Sequence, residues 1–124
     1  MKITLKQIPI RAIAEKYVDL GDEGVFAYDN NLTVRPAYQR EYIYDDKRRN
    51  AVVDSVFSGF PINVMYWAYI PANKASGLPE YELLDGQQRT LSILKYIKSD
   101  FSVDYRYFHN LTEDEQAKIL DYNL

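Results

Sequence analysis

The chain has no cysteine and one histidine, His109. The first absence excludes disulfide staples and thiolate metal sites, and it suits a reducing compartment. The second excludes paired-histidine metal sites. His109 follows an aromatic stretch, Tyr105-Arg106-Tyr107-Phe108, and reads as a packed or hydrogen-bonded structural residue. No apolar run reaches the roughly 20 residues that a membrane-spanning helix needs. The first residues, MKITLKQIPI, lack the apolar core of a signal peptide. The expected location is therefore the cytoplasm, with no membrane partner. Positive charge is also short: 15 Lys and Arg face 18 Asp and Glu, a net charge of −3. A broadly basic nucleic-acid module is disfavoured, and any DNA contact is expected to be local or made by another part of the protein. The GxxxxGK[ST], GxGxxG, HExxH and GxSxG patterns are missing too, which removes the best-known phosphate-loop, dinucleotide, zinc-protease and serine-hydrolase sites.

What is present is an ordinary globular composition. The chain of 124 residues is 47% hydrophobic and 27% charged, enough for one domain with a core and too apolar for disorder. Twelve tyrosines are many for this length. Aromatics suit strands and also binding surfaces, so the count alone decides little.

The pattern predicts mixed strands and helices. Lys2–Leu5 alternates like an edge strand. Pro9 suits a helix start, and Ile10, Ile13, Ala14, Tyr17 and Val18 fall at helical spacing. Val25–Tyr28 and Leu32–Val34 flank Asp29-Asn30-Asn31 and read as a hairpin. Asp45 or Asp46 caps a helix running to about Ser58, with Val52, Val53, Val56 and Phe57 as its apolar stripe and Gly59 and Pro61 as its stop. Lys47, Arg48 and Arg49 lie at the end of this helix where cations are unfavourable, which mildly hints at an anion partner, although a solvated face explains them more readily. Asn63–Ile70 is almost continuously apolar and reads as a central strand buried on both faces, antiparallel to Tyr81–Leu84. Residues 71–79 read as a loop. Thr112 and Glu115 form a capping box for a helix to about Leu120. Asp121–Leu124 resembles the start of a further strand, so residues 1–124 are expected to be one domain, the N-terminal part of a longer protein.

The chemistry concentrates at Asp85-Gly86-Gln87-Gln88-Arg89, where an apolar strand hands over to an apolar helix. A helix start presents unpaired N–H groups and a positive dipole end, suited to phosphate. Glycine there lets a ligand approach the backbone. A structural reading competes: Asp85 as N-cap with Gln88 reaching back. That leaves Gln87 and Arg89 unexplained, and a guanidinium grips phosphate in two-pronged fashion. Asp85 would repel a bare phosphate. It therefore either points away as a cap or holds Mg²⁺ bridged to the phosphate. The glutamines can orient an attacking water. Arg35 to Tyr42, polar and aromatic at once, reads either as a solvated loop or as a ligand-lining one.

The ordered set RPAYQREYIY, SGFPINVMYW and LLDGQQRTLSIL resembles the N-terminal domain of GmrSD-type, modification-dependent restriction enzymes and related phage-defence proteins. In that family a YQR segment precedes an apolar helix, a G-[FY]-P turn, an apolar strand and a DGQQR turn. The match covers about Leu32 to Ile97. Tyr44 stands where many relatives have tryptophan. The resemblance implies an α+β domain of ParB/sulfiredoxin-like fold. It also implies nucleotide (GTP or ATP) binding and hydrolysis that regulates DNA cleavage by a nuclease domain elsewhere in the protein. Carried over, the catalytic set is Asp85, Gln87, Gln88 and Arg89. The phosphate-binding set is Tyr38, Gln39, Arg40, Gly86 and Arg89; Asp85 either holds Mg²⁺ or fixes the turn. Two alternatives stay open: a DNA-binding or sensing module using Lys47–Arg49 and the tyrosines, and a non-catalytic scaffold or homo-oligomer built on Ala51–Phe57.

Overall fold

The computed structural model describes residues 7–20, 24–35, 45–62, 65–103 and 105–124. The expected strand at Lys2–Leu5 lies outside them. Among the described residues, five strands form one mixed sheet: β1 (Val18–Asp19), β2 (Val25–Ala27), β3 (Leu32–Arg35), β4 (Tyr66–Tyr69) and β5 (Tyr81–Asp85), in the order β1-β2-β3-β5-β4. All neighbours are antiparallel except β3 and β5, which run parallel with Leu32 opposite Tyr81. The helices are α1 (Ile10–Ile13), α2 (Asp46–Ser58), α3 (Ala72–Ser76), α4 (Gln87–Ile97) and α5 (Glu113–Leu120). The α+β class is as the pattern predicts.

The hairpin between β2 and β3 turns through three left-handed residues, Tyr28 (φ 57°), Asp29 (φ 54°) and Asn30 (φ 63°). Asp and Asn tolerate that region, which is what makes them a turn signal. Tyr28 does not, and its conformation is held from outside: its N–H donates to the Ile13 carbonyl at 2.7 Å, and that of Asp29 to Glu15 at 2.8 Å.

Helix α2 follows its sequence signals. Asp45 is the N-cap and accepts from the Arg48 N–H at 2.9 Å, and Gly59 closes the helix at φ 76°. Arg49 lays its guanidinium over the Phe101 ring, 4.2 Å from the centroid. A cation–π contact thus occupies one of the three cations whose position hinted at an anion. The apolar stripe of α2 is engaged as well: Val53 and Val56 are buried, and Val52 and Phe57 pack against the same cluster.

Helix α4 organises the interior. Leu91 and Leu94 join the cluster between helix and sheet, with Ile13, Tyr17, Val25, Leu32, Val34 and Leu83. Ile93 and Tyr96 join a second cluster with Val53, Val56, Phe101 and Ile119. A helix that serves two cores must be apolar on more than one side. Even its Thr90 and Ser92 are buried, and the Ser92 hydroxyl donates to the Gln88 carbonyl at 2.8 Å.

Four expectations need correction. The helix predicted from Ile10 through Val18 ends at Ile13, and Val18 joins β1 opposite Phe26. A short helix is marginal alone, and pairing with β2 satisfies backbone groups that one more helical turn would have to satisfy itself. Among the described residues, the apolar run Asn63–Ile70 contributes β4, an edge strand instead of a central one. Trp67 meets Tyr28 and Tyr81 edge-on at 5.5 and 5.6 Å, and Tyr69 packs on Tyr81 at 5.4 Å, yet Tyr66 is 56% and Tyr69 53% exposed. Tyrosine supports this double life because its hydroxyl end tolerates water. Its antiparallel pairing with β5 is as expected. The expected loop at 71–79 contains α3. Finally, among the described residues Asp121–Leu124 joins no named strand and makes only an isolated bridge, Asn123 with Pro9. It folds back on the first described residues, with Ile10 donating to the Tyr122 carbonyl at 2.9 Å and Leu124 to that of Ile8 at 2.9 Å.

Candidate functional site

The site lies where β5 becomes α4. The strand ends at Asp85, and Gly86 is the N-cap in a left-handed conformation, φ 91° and ψ 17°. Thr90 donates to the Gly86 carbonyl at 2.9 Å, which closes the first helical turn. The expected Asp85 cap does not form. Asp85 is still strand, paired with Tyr66, one residue too early to reach the first-turn N–H groups as a cap. Glycine has no side chain to replace it, so no side chain caps the start of α4, and the positive dipole end of the helix lies there.

Each polar residue of the turn has a distinct situation. The Gln87 amide nitrogen donates to the Leu83 carbonyl at 3.1 Å, tying the helix start back to the strand. The Gln88 carbonyl accepts from Ser92. Asp85 is exposed. Arg89 is part-buried, and its Nε and Nη2 are buried with no hydrogen-bond partner among the described residues. A buried, unpaired donor costs about 1–3 kcal/mol, more when charged, so this guanidinium is the anomaly of the site. Its Nη2 lies 3.1 Å from where a Cβ on Gly86 would stand. Gly86 and Arg89 are therefore packed together.

Sequence reasoning missed Met65 and Thr90. The Met65 side chain closes over Gly86, with its Cγ 2.8 Å from that absent Cβ. The Thr90 hydroxyl donates to its sulfur at 3.0 Å. Nothing in the sequence near Met65 marks it; only the pairing of β4 with β5 brings it there.

The parallel pairing of β3 with β5 points both strands towards the same edge of the sheet. Arg35, buried at the end of β3, is thus brought to the edge from which Gly86 and α4 emerge. Ligands of α/β sheets gather at the carboxyl ends of such strands. Tyr38, Gln39 and Arg40, and with them Tyr44, lie outside the described residues. His109 is exposed, far from the turn in the chain, and stacked on Tyr107 at 5.5 Å. An open cleft of about 630 Å³ lies at the opposite ends of β3 and β5. Glu15, Asp29 and Glu80 line it, and three carboxylates suit no phosphate.

The family model described as GmrSD restriction endonuclease, N-terminal domain, matches residues 23–123. The chain belongs to the GmrSD N-terminal domain family. No curated protein and no solved structure matches it. As a GmrSD-type N-terminal domain, its role is that of a part of a restriction-type endonuclease, in keeping with phage defence. The match takes in every residue of the β5–α4 turn as well as the YQR segment. Among the described residues, no helix is long and apolar enough to cross a membrane.

Proposed function

We propose that the β5–Gly86–α4 turn binds the phosphates of a nucleoside triphosphate, GTP or ATP, and supports its hydrolysis. Turnover would regulate DNA cleavage by a nuclease domain elsewhere in a cytoplasmic restriction enzyme. The observation that carries the reading is the Arg89 guanidinium, with two buried nitrogens that find no partner among the described residues beside an uncapped helix start. A phosphate oxygen set against Arg89 at this helix start would satisfy the guanidinium and face the positive end of the dipole.

In this reading Gly86 admits the phosphate, the N–H groups of Gln87 and Gln88 cradle it, and Arg89 neutralises it. Arg40, with Tyr38 and Gln39, supplies the second cationic segment. No group of three or more potential metal-ligating side chains occurs among the described residues. That disfavours an all-protein metal cage. It suits Mg²⁺ held mainly by phosphate oxygens and water with Asp85 as its one carboxylate, where the ion would offset phosphate charge. Gln87 is tied to Leu83 through its nitrogen, and its role is to fix the turn and present its amide to an attacking water.

The test is a titration of labelled GTP and ATP, with Mg²⁺, against the wild-type protein and Arg89→Ala. Saturable binding that Arg89→Ala abolishes, with the helical circular dichroism kept, supports the reading. A folded wild type that binds neither nucleotide removes it.

A further inference from the structure

The chain holds no cysteine and two methionines, Met1 and Met65. Met65 is therefore its one sulfur away from the N-terminus, and it sits on the β5–α4 turn. The residue is part-buried and packs against the first core cluster from its margin, so it is not sealed from small solutes. Its Sδ lies 3.2 Å, and Arg89 Nη2 3.1 Å, from one point, the place of the absent Gly86 Cβ. Sulfur and guanidinium thus flank the same small space. From the helix side, the buried Thr90 hydroxyl donates to the sulfur at 3.0 Å.

A thioether is a weak acceptor. It accepts from Thr90 but offers a cation little, and Arg89 beside it keeps Nε and Nη2 buried with no hydrogen-bond partner among the described residues. One added oxygen changes this. Hydrogen peroxide converts a thioether to a sulfoxide: the sulfur gives an electron pair to one peroxide oxygen, the O–O bond breaks and an S–O bond forms. The other oxygen takes up the proton and leaves as water, so the sulfur loses the two electrons that peroxide gains. The product is polar and carries a strong oxygen acceptor. On the side of the sulfur that faces Thr90 the 3.0 Å separation has no room for that oxygen, so the side chain must turn. The buried, unpaired donors across the same small space are those of Arg89.

We propose that Met65 is a redox switch on this turn. As a thioether it leaves Arg89 open to a phosphate; as a sulfoxide its oxygen accepts from the guanidinium and closes the site. Closure has a consequence only where the turn binds phosphate, so the switch rests on that reading. It is reversible, because methionine sulfoxide reductases restore the thioether, one enzyme for each sulfoxide epimer.

The test treats the wild-type protein and Met65→Leu, a swap of similar volume, with hydrogen peroxide. Mass spectrometry follows the gain of one oxygen on the peptide carrying residue 65, and GTP and ATP are titrated with Mg²⁺ before and after. The quantity read is each protein's ratio of affinities across the treatment, so the starting affinity of Met65→Leu does not enter. The oxidised wild type is expected to bind both nucleotides about 10- to 100-fold more weakly, the worth of one hydrogen bond to a charged group. Its helical circular dichroism is kept, its affinity returns with the reductases, and its Arg89 guanidinium resonances shift on oxidation without any nucleotide. The ratio for Met65→Leu stays unchanged. Unaltered affinity or unmoved Arg89 resonances in the oxidised wild type overturn the switch and leave the phosphate reading standing. The same follows from an equal loss in Met65→Leu, from unfolding on oxidation, or from a Met65 that peroxide leaves unoxidised. A wild type that binds neither nucleotide before oxidation overturns both.

Discussion

Replacing Gly86 by alanine strikes the turn in two separable ways. The first is conformational: at φ 91° any side chain is strained, at a cost of about 1–2 kcal/mol. The second is steric. A Cβ there would meet Met65 Cγ at 2.8 Å, Arg89 Nη2 at 3.1 Å and Met65 Sδ at 3.2 Å. Met65 is flexible, but its sulfur is engaged by Thr90, so it cannot swing aside freely. Overpacking of this kind costs about 1–3 kcal/mol more. Gly59 is the control, because it too is left-handed, φ 76°, yet a Cβ there meets nothing within 4 Å. Gly59→Ala therefore carries the conformational cost alone. Urea unfolding followed by circular dichroism is expected to rank wild type above Gly59→Ala above Gly86→Ala. The gap between the two variants, about 1–3 kcal/mol, is the steric part. Nucleotide titration should then show Gly59→Ala binding like the wild type and Gly86→Ala binding weakly, since Arg89 has been displaced. Equal stability of the two variants would refute the steric argument, and unchanged nucleotide binding by Gly86→Ala would refute the close approach of ligand to this backbone.

Two further predictions concern ionisation. Glu115 is held below its ordinary range first by the Thr112 backbone N–H and then by Arg106. A depressed carboxylate contributes stability above its unfolded value, near pH 4.3, and loses it as pH falls through the folded value. Arg106→Ala should leave much of this depression in place, as an NMR titration of Glu115 can show; a return to the ordinary value would mean that the salt bridge, not the capping box, is the cause. Tyr17 is raised well above the tyrosine range, first by burial and then by the carboxylates of Asp19 and Asp100. Its contribution is complete below about pH 10, the unfolded value, and is lost as pH rises towards the folded value. Urea midpoints between pH 9 and 11 should fall for the wild type and fall less for Tyr17→Phe; parallel falls would contradict the assignment.

The parts of the fold legible in the sequence were those with local causes. Asp45 and Gly59 bound α2, Thr112 and Glu115 start α5, and Asp29-Asn30 turns the hairpin, each through its own backbone chemistry. The misreadings share a different origin. Val18 looked helical by spacing but is claimed by β2. The run Asn63–Ile70 looked central because an edge strand rich in tyrosine is as apolar in sequence as a buried one. Such outcomes depend on neighbours distant in the chain. The site divides similarly. Glycine at a strand-to-helix handover marked the turn, and the arginine four residues after Asp85 marked its cation. That Asp85 is strand and Gly86 the cap depends on the pairing of Asp85 with Tyr66. Met65 against Gly86 was visible only once β4 and β5 were aligned.

The central claim is that the buried Arg89 guanidinium awaits a phosphate, and its own N–H resonance tests this most directly. The Nε–H signal of Arg89, identified by its loss in Arg89→Lys, can be followed as GTP and Mg²⁺ are added to the labelled protein. The account predicts a large downfield shift and slower exchange with water as Nε gains a charge-assisted partner. Nucleotide binding that leaves this resonance where it was would contradict it.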